Sequence, residues 1–115
     1  MEERTLHNMK FSVKGRTLLI ELAEDLDHHN AVFVREITEE MQERYPVNTV
    51  VFDFRGVEFM DSSGIGVIMG RYRYATAQGG CVKVAGIGKS VNRIFELSGL
   101  YKLVKSYDTV EEALR

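Results

Sequence analysis

The segment Asp61-Ser62-Ser63-Gly64-Ile65-Gly66 holds the residue types in this 115-residue chain best suited to chemistry. Two hydroxyls stand beside a carboxylate and ahead of two glycines. The segment follows an apolar run, Thr49-Val50-Val51-Phe52-Asp53-Phe54. It precedes Ile65, Ile68, Met69 and Tyr72, which recur at helical spacing. It therefore falls at a strand-to-helix junction, where unpaired backbone N–H groups and the helix dipole favour negative charge. A serine in that place can be a nucleophile, a phosphate acceptor or a cap.

The spacing separates these chemistries. A hydrolase elbow reads G-x-S-x-G, and here Met60 stands where the first glycine belongs. His7, His28 and His29 are available as bases, so an esterase reading would require an activity that Ser62→Ala abolishes. A dinucleotide turn needs G-x-G-x-x-G; Met69 takes the third glycine's place and Gly70 comes one residue late. Gly88-Lys89-Ser90 resembles the end of a P-loop, but Lys83 replaces the first glycine of that motif, so a turn and cap fit better. Gly86 and Gly88 can still form an anion-binding nest. Adjacent His28 and His29 do not share a helix face, and Cys81 is the single cysteine. No metal site and no cofactor are therefore expected.

Gly64, Gly66 and Gly70 each cost roughly 1 kcal/mol of helix propensity against Ala. Two accounts of them stand side by side. They pack closely against the sheet, or they leave a side-chain-poor surface for another backbone. Ser62, Gly66 and Gly70 step by four along one helix face.

The elements that must position this junction follow from pattern. Lys10 to Val13 and Thr17 to Leu22 read as strands around a Gly15-Arg16 turn, a hairpin. Asp27-His28-His29-Asn30 opens a helix. Val34, Ile37, Thr38 and Met41 mark its inner face, Arg35, Glu39, Glu40 and Glu43 its outer face, and Pro46 its end. Thr49 to Phe54 reads as a strand buried on both faces. Val82, Val84 and Ala85 follow Gly79-Gly80 as a further strand. Val91, Ile94, Phe95 and Ser98 give a helix stopped by Gly99. Leu103-Val104 reads as the last strand, and Thr109 caps a final helix with Glu111 and Glu112 in its first turn. This order predicts one α/β domain over residues 1–115: a mixed, mostly parallel sheet with an N-terminal hairpin strand and helices mainly on one side.

Composition excludes other classes. Hydrophobic residues make 44% and charged residues 28% of the chain, which excludes disorder as the main state. A net charge of -2, from 15 basic and 17 acidic residues, gives no basic excess for nucleic acid or an anionic membrane. The lone Cys81 excludes an intramolecular disulfide. Met1-Glu2-Glu3-Arg4 is too polar for a signal peptide, and no apolar run approaches the roughly 20 residues a bilayer needs. A cytoplasmic domain is expected.

Phe59-Met60-Asp61-Ser62-Ser63-Gly64-Ile65-Gly66-Val67 resembles the STAS-domain anti-sigma factor antagonists, the sporulation members above all. Leu26-Asp27-His28-His29, Gly70-Arg71-Tyr72 and the run Ile94 to Lys102 extend the resemblance over nearly the whole chain. Glu24 departs from it, standing where the family places glycine before Glu-Leu-Asp. The resemblance implies a protein without catalytic activity of its own. It would bind an anti-sigma factor serine kinase and so free a sigma factor for transcription. The kinase would use ATP to phosphorylate Ser62, the phosphorylated form would let go, and a PP2C-type phosphatase would restore it. Asp27 matches a partner-contact position, and Asp61, Ser62, Ser63, Gly64, Ile65 and Gly66 would complete that surface. Related domains serve stress-response modules or are attached to anion transporters; the absence of an apolar span disfavours the transporter form. The alternative within the family is a small-ligand or nucleotide-binding STAS domain, with the Ser62–Gly66 or the Gly86–Ser90 turn as its anion seat.

The physics of the junction accords with a switch. A phosphate on Ser62 adds roughly -1.5 to -2 charges. The helix start tolerates it, so the domain need not unfold. The cost falls on an interface that covers the site, because an unpaired buried anion costs several kcal/mol. About 4 kcal/mol is a thousandfold in affinity. Ser63, nearer the helix backbone, is expected to cap. Asp27 is expected to cap, to contact the partner, or both.

Overall fold

A computed structural model of the chain describes residues 3–115. The polar start read at Met1-Glu2 lies outside the described residues. Six strands form one sheet: β1 (Glu3–Leu6), β2 (Met9–Lys14), β3 (Thr17–Glu21), β4 (Thr49–Asp53), β5 (Val82–Ala85) and β6 (Lys105–Tyr107). Their order across the sheet is their order along the chain. The β1–β2 and β2–β3 pairs are antiparallel; β3–β4, β4–β5 and β5–β6 are parallel. Helices α1 (His28–Arg44), α2 (Ser62–Ala77) and α3 (Lys89–Ser98) make the parallel crossovers. A right-handed twist favours one crossover hand, which places all three helices on one face.

The expected hairpin forms, with Lys14 opposite Thr17 across a two-residue turn. Gly15 takes φ +62° there, the left-handed backbone such a turn requires at its first position. The apolar central strands divide their side chains between two cores. Leu18, Ile20, Val50, Phe52, Val82 and Val84 meet α1, α2 and α3 through Val34, Met41, Ile68 and Phe95. The alternate residues Leu19, Val51 and Ala85 meet Val110 and Ala113 of α4 (Val110–Ala113) on the other face. Burial on both faces explains why Val50, Val51 and Phe52 are apolar in succession rather than alternating.

Two expectations change. Leu103-Val104 is not a strand. Leu100–Lys102 forms a 3-10 turn after Gly99, and Val104 is buried in the core under the three helices. The pairing strand is Lys105–Tyr107. An additional strand, β1, precedes the hairpin and is mostly exposed at the sheet edge. The final helix is as expected: the Thr109 hydroxyl accepts from Glu112 N, and the Glu112 carboxylate accepts from Thr109 N, a reciprocal capping box.

Candidate functional site

The loops after β3 and β4 lead into α1 and α2, and they lie side by side. Leu22 N donates to Asp53 O at 3.1 Å, and Leu26 N to Phe59 O at 3.0 Å. Asp61 N reaches Leu26 O at 3.4 Å, and Leu26 and Met60 form an isolated parallel bridge. The two loops thus continue the parallel pairing of their strands. One carboxylate fastens them further: Asp25 Oδ1 accepts from Glu58 N at 2.9 Å and from Phe59 N at 3.0 Å. The Asn30 amide donates to Asp25 O at 2.8 Å, tying the first turn of α1 to the same loop.

Both helix starts are capped by aspartate. Asp27 Oδ1 accepts from Asn30 N at 2.9 Å. Asp61 serves two helices at once. Its Oδ1 accepts from Ser63 N at 2.8 Å, capping α2, and its Oδ2 accepts from His28 N at 3.0 Å, satisfying the first donor of α1. Each bond to the ionised oxygen is of the stronger, charge-assisted kind. The expectation that Ser63 caps α2 is therefore corrected: Asp61 is the cap, because its side chain precedes the helix and reaches back to the second residue. Ser63 Oγ instead lies 3.1 Å from His28 Nδ1. Ser62, the first residue of α2, is exposed. Asp27, Asp61, Ser62 and Ser63 thus share one edge of the molecule, the carboxyl end of the parallel strands.

The two accounts of the glycines divide between positions. A Cβ at Gly64 would lie 2.4 Å from Met60 Cγ and 2.7 Å from Leu26 O. Gly64 is buried, and close packing is its role. Gly66 and Gly70 have nothing within 4 Å of such a Cβ. They line an open groove of about 290 Å³ between α1 and α2, together with His28, Arg35, Ser63 and Arg71. Ile65, half-buried, packs against the core.

Three contributors escape sequence reasoning. Asp25 and His28 act through partners more than thirty positions away, for which no local signal exists. Arg71 is 6% exposed and looks like a polar surface residue of α2 in sequence. Its guanidinium donates to Gln42 Oε1 and to Glu39 Oε2, joining α2 to α1. Burial lowers its pKa, and Glu39 opposes the shift. The missing glycine at Glu24 does not disturb the loop: the left-handed residue is Ala23, at φ +56°, and the Glu24 carboxylate accepts from Asn8 N at 3.0 Å. No group of three or more potential metal ligands occurs among the described residues, and no helix among them is long and apolar enough to cross a membrane.

Comparison with known proteins identifies the family. The STAS domain model matches residues 8–113. An anti-sigma F factor antagonist of Paenibacillus polymyxa is 37% identical over 97 residues, spanning 84% of this chain and 83% of the relative. A second, from Lysinibacillus sphaericus, is 30% identical over 83% of this chain and 81% of its own length. The structure of the Bacillus cell fate determinant SpoIIAA in its phosphorylated form superposes with a TM-score of 0.74 at 30% identity, covering 92% of this chain and 96% of that one. By this extent of sequence and structure, the chain belongs to the STAS-domain family, among the anti-sigma factor antagonists.

Proposed function

We propose that this chain docks an anti-sigma factor serine kinase on the edge where α1 and α2 begin, so freeing a sigma factor, and that phosphorylation of Ser62 ends the complex. The observation that carries the reading is the division of labour between neighbours. Asp61 and Ser63 are engaged in holding the two helix starts, while Ser62 between them is exposed on a rigid turn. A hydroxyl so placed is presented to an enzyme without local unfolding. A phosphate there leaves the fold intact, because the helix start accepts negative charge. The loss then falls on the interface, where an uncompensated anion would be buried.

The partner surface comprises Asp27, Asp61, Ser62, Ser63, Ile65 and Gly66, with Gly64 contributing through the close seating of the helix. A partner arginine or lysine at Asp27 would give orientation and rate. The relatives of highest quoted identity are antagonists of an anti-sigma F factor, and one structural relative has a phosphorylated form, which supports a sporulation-type circuit. A PP2C-type phosphatase would return the chain to its binding form.

Phosphopeptide mapping after incubation with the cognate anti-sigma kinase and ATP tests the reading. Phosphate is expected on Ser62 alone, and Ser62→Ala is expected to bind the kinase as the wild type does while taking up no phosphate. Phosphate on Ser63 would overturn the assignment. Nucleotide bound tightly by the isolated chain, with no kinase complex, would favour the ligand-binding alternative.

A further inference from the structure

Phe59 is 50% exposed, one of two large apolar side chains so exposed among the described residues. The other, Leu97, is 76% exposed near the end of α3, away from the helix starts. A lone exposed leucine on a helix is ordinary. Phe59 is held differently. Its N–H donates to Asp25 Oδ1 at 3.0 Å, the preceding N–H donates to the same oxygen at 2.9 Å, and its carbonyl accepts from Leu26 N at 3.0 Å. Val57 and Met60, on either side, are buried. The peptide units on both sides of Phe59 are therefore held while the ring is half exposed to water, so little backbone freedom remains to be lost on binding.

The two loops at this edge are rich in carboxylates. Glu24, Asp25, Asp27 and Glu58 line one open hollow of the same two loops, and Asp61 follows two residues on. On the other side, Lys89 and Ser90 at the start of α3 border Val57 and Glu58. Two residues, Met60 and Asp61, separate Phe59 from Ser62, a span of at most about 11 Å. An exposed aromatic on a fixed backbone, near the switch and on loops that carry carboxylates, has the composition of an interface anchor.

We propose that Phe59 is the apolar anchor of the partner interface, entering an apolar pocket on the anti-sigma factor kinase whose rim carries basic side chains facing Glu58, Asp27 and Asp61. This rests on the reading that the same edge docks such a kinase. It assigns affinity chiefly to Phe59 and release to Ser62.

The test titrates the purified cognate anti-sigma factor kinase with the wild-type chain, Ser62→Ala, Phe59→Ala, Phe59→Gln and Phe59→Leu, alongside thermal unfolding and steady-state phosphorylation kinetics. Both Phe59→Ala and Phe59→Gln keep the backbone donors. Each is expected to weaken binding about 10- to 100-fold, with an unchanged unfolding midpoint. Phe59→Leu should recover most of the affinity. The KM for phosphorylation should rise by the factor lost in binding with kcat unchanged, the signature of uniform binding. Folded Phe59→Ala or Phe59→Gln binding within twofold of wild type overturns the proposal, as does a fall in kcat at constant KM. If the wild type and Ser62→Ala both fail to bind, the docking reading itself falls.

Discussion

Helices α2 and α3 each follow a parallel strand, and each begins among serine and glycine: Ser62-Ser63-Gly64 in one, Gly88-Lys89-Ser90 in the other. At α2 the preceding residue is Asp61, whose carboxylate closes two helix starts, and the loop before it is bonded to the loop before α1. At α3 the cap is Gly88, which has no side-chain hydrogen bond to the helix. A Cβ at Gly64 would strike its neighbours, whereas one at Gly88 would meet nothing within 4 Å. Both starts carry the same dipole. What distinguishes them is how firmly the surroundings hold the first turn, and that firmness suits α2 to present a side chain in one fixed pose.

Substitutions can break the comparison. The largest effect is expected at Asp61. Asp61→Ala removes a cap and the acceptor of His28 N together, and should cost about 3 kcal/mol in chemical denaturation. Asp61→Ser keeps a cap for α2 but cannot also reach α1, so it should recover only part of that loss. Full recovery would show that the bond to α1 contributes nothing. Gly64→Ala comes next. Helix propensity alone would make it stabilising by roughly 1 kcal/mol, but the contacts with Met60 and Leu26 should turn this into a loss of about 2 kcal/mol. Gly66→Ala, facing the open groove, should show the propensity gain, and the opposite signs can be read from a pair of unfolding curves. The smallest effect belongs to α3. Gly88 has the extended backbone of an N-cap, φ -85° and ψ 178°, so Gly88→Asp should stabilise by about 0.3 kcal/mol. A gain as large as the Asp61 loss would erase the distinction between the two starts.

The sequence makes the strongly patterned parts of the molecule readable and hides those decided at long range. Val34, Ile37 and Met41 mark the inner face of α1, and Gly99, at φ +79°, ends α3. The last strand is misplaced because Val104 has the residue type of a strand but is recruited into the core below α3, leaving polar Lys105 and Ser106 to pair. Strand β1 gives no apolar alternation, since Glu3, Arg4 and Thr5 lie at an exposed edge. At the site, the junction and the exposure of Ser62 follow from local sequence. The role of Asp61 as cap is a local feature that could have been read, since aspartate directly precedes the helical repeat. Its second bond, to His28, belongs to the fold. So does the separation of Gly64 from Gly66, because helical spacing says which glycines share a face and not what lies opposite them.

The sheet order has a consequence for how the chain is made. Each strand pairs with the strand synthesised just before it, so none has to be inserted between two that already pair. As the polypeptide leaves the ribosome, every new strand meets an edge that is already complete, and each crossover helix can settle on one face in turn. The other face has no such schedule. Leu19, Val51 and Ala85 wait for Val110 and Ala113, which emerge after all six strands. Until α4 closes over them, the nascent domain carries a bare apolar row next to an open strand edge, the condition in which chains associate with one another. The short helix α4, which covers that row, thus shields the molecule once its strands are in place.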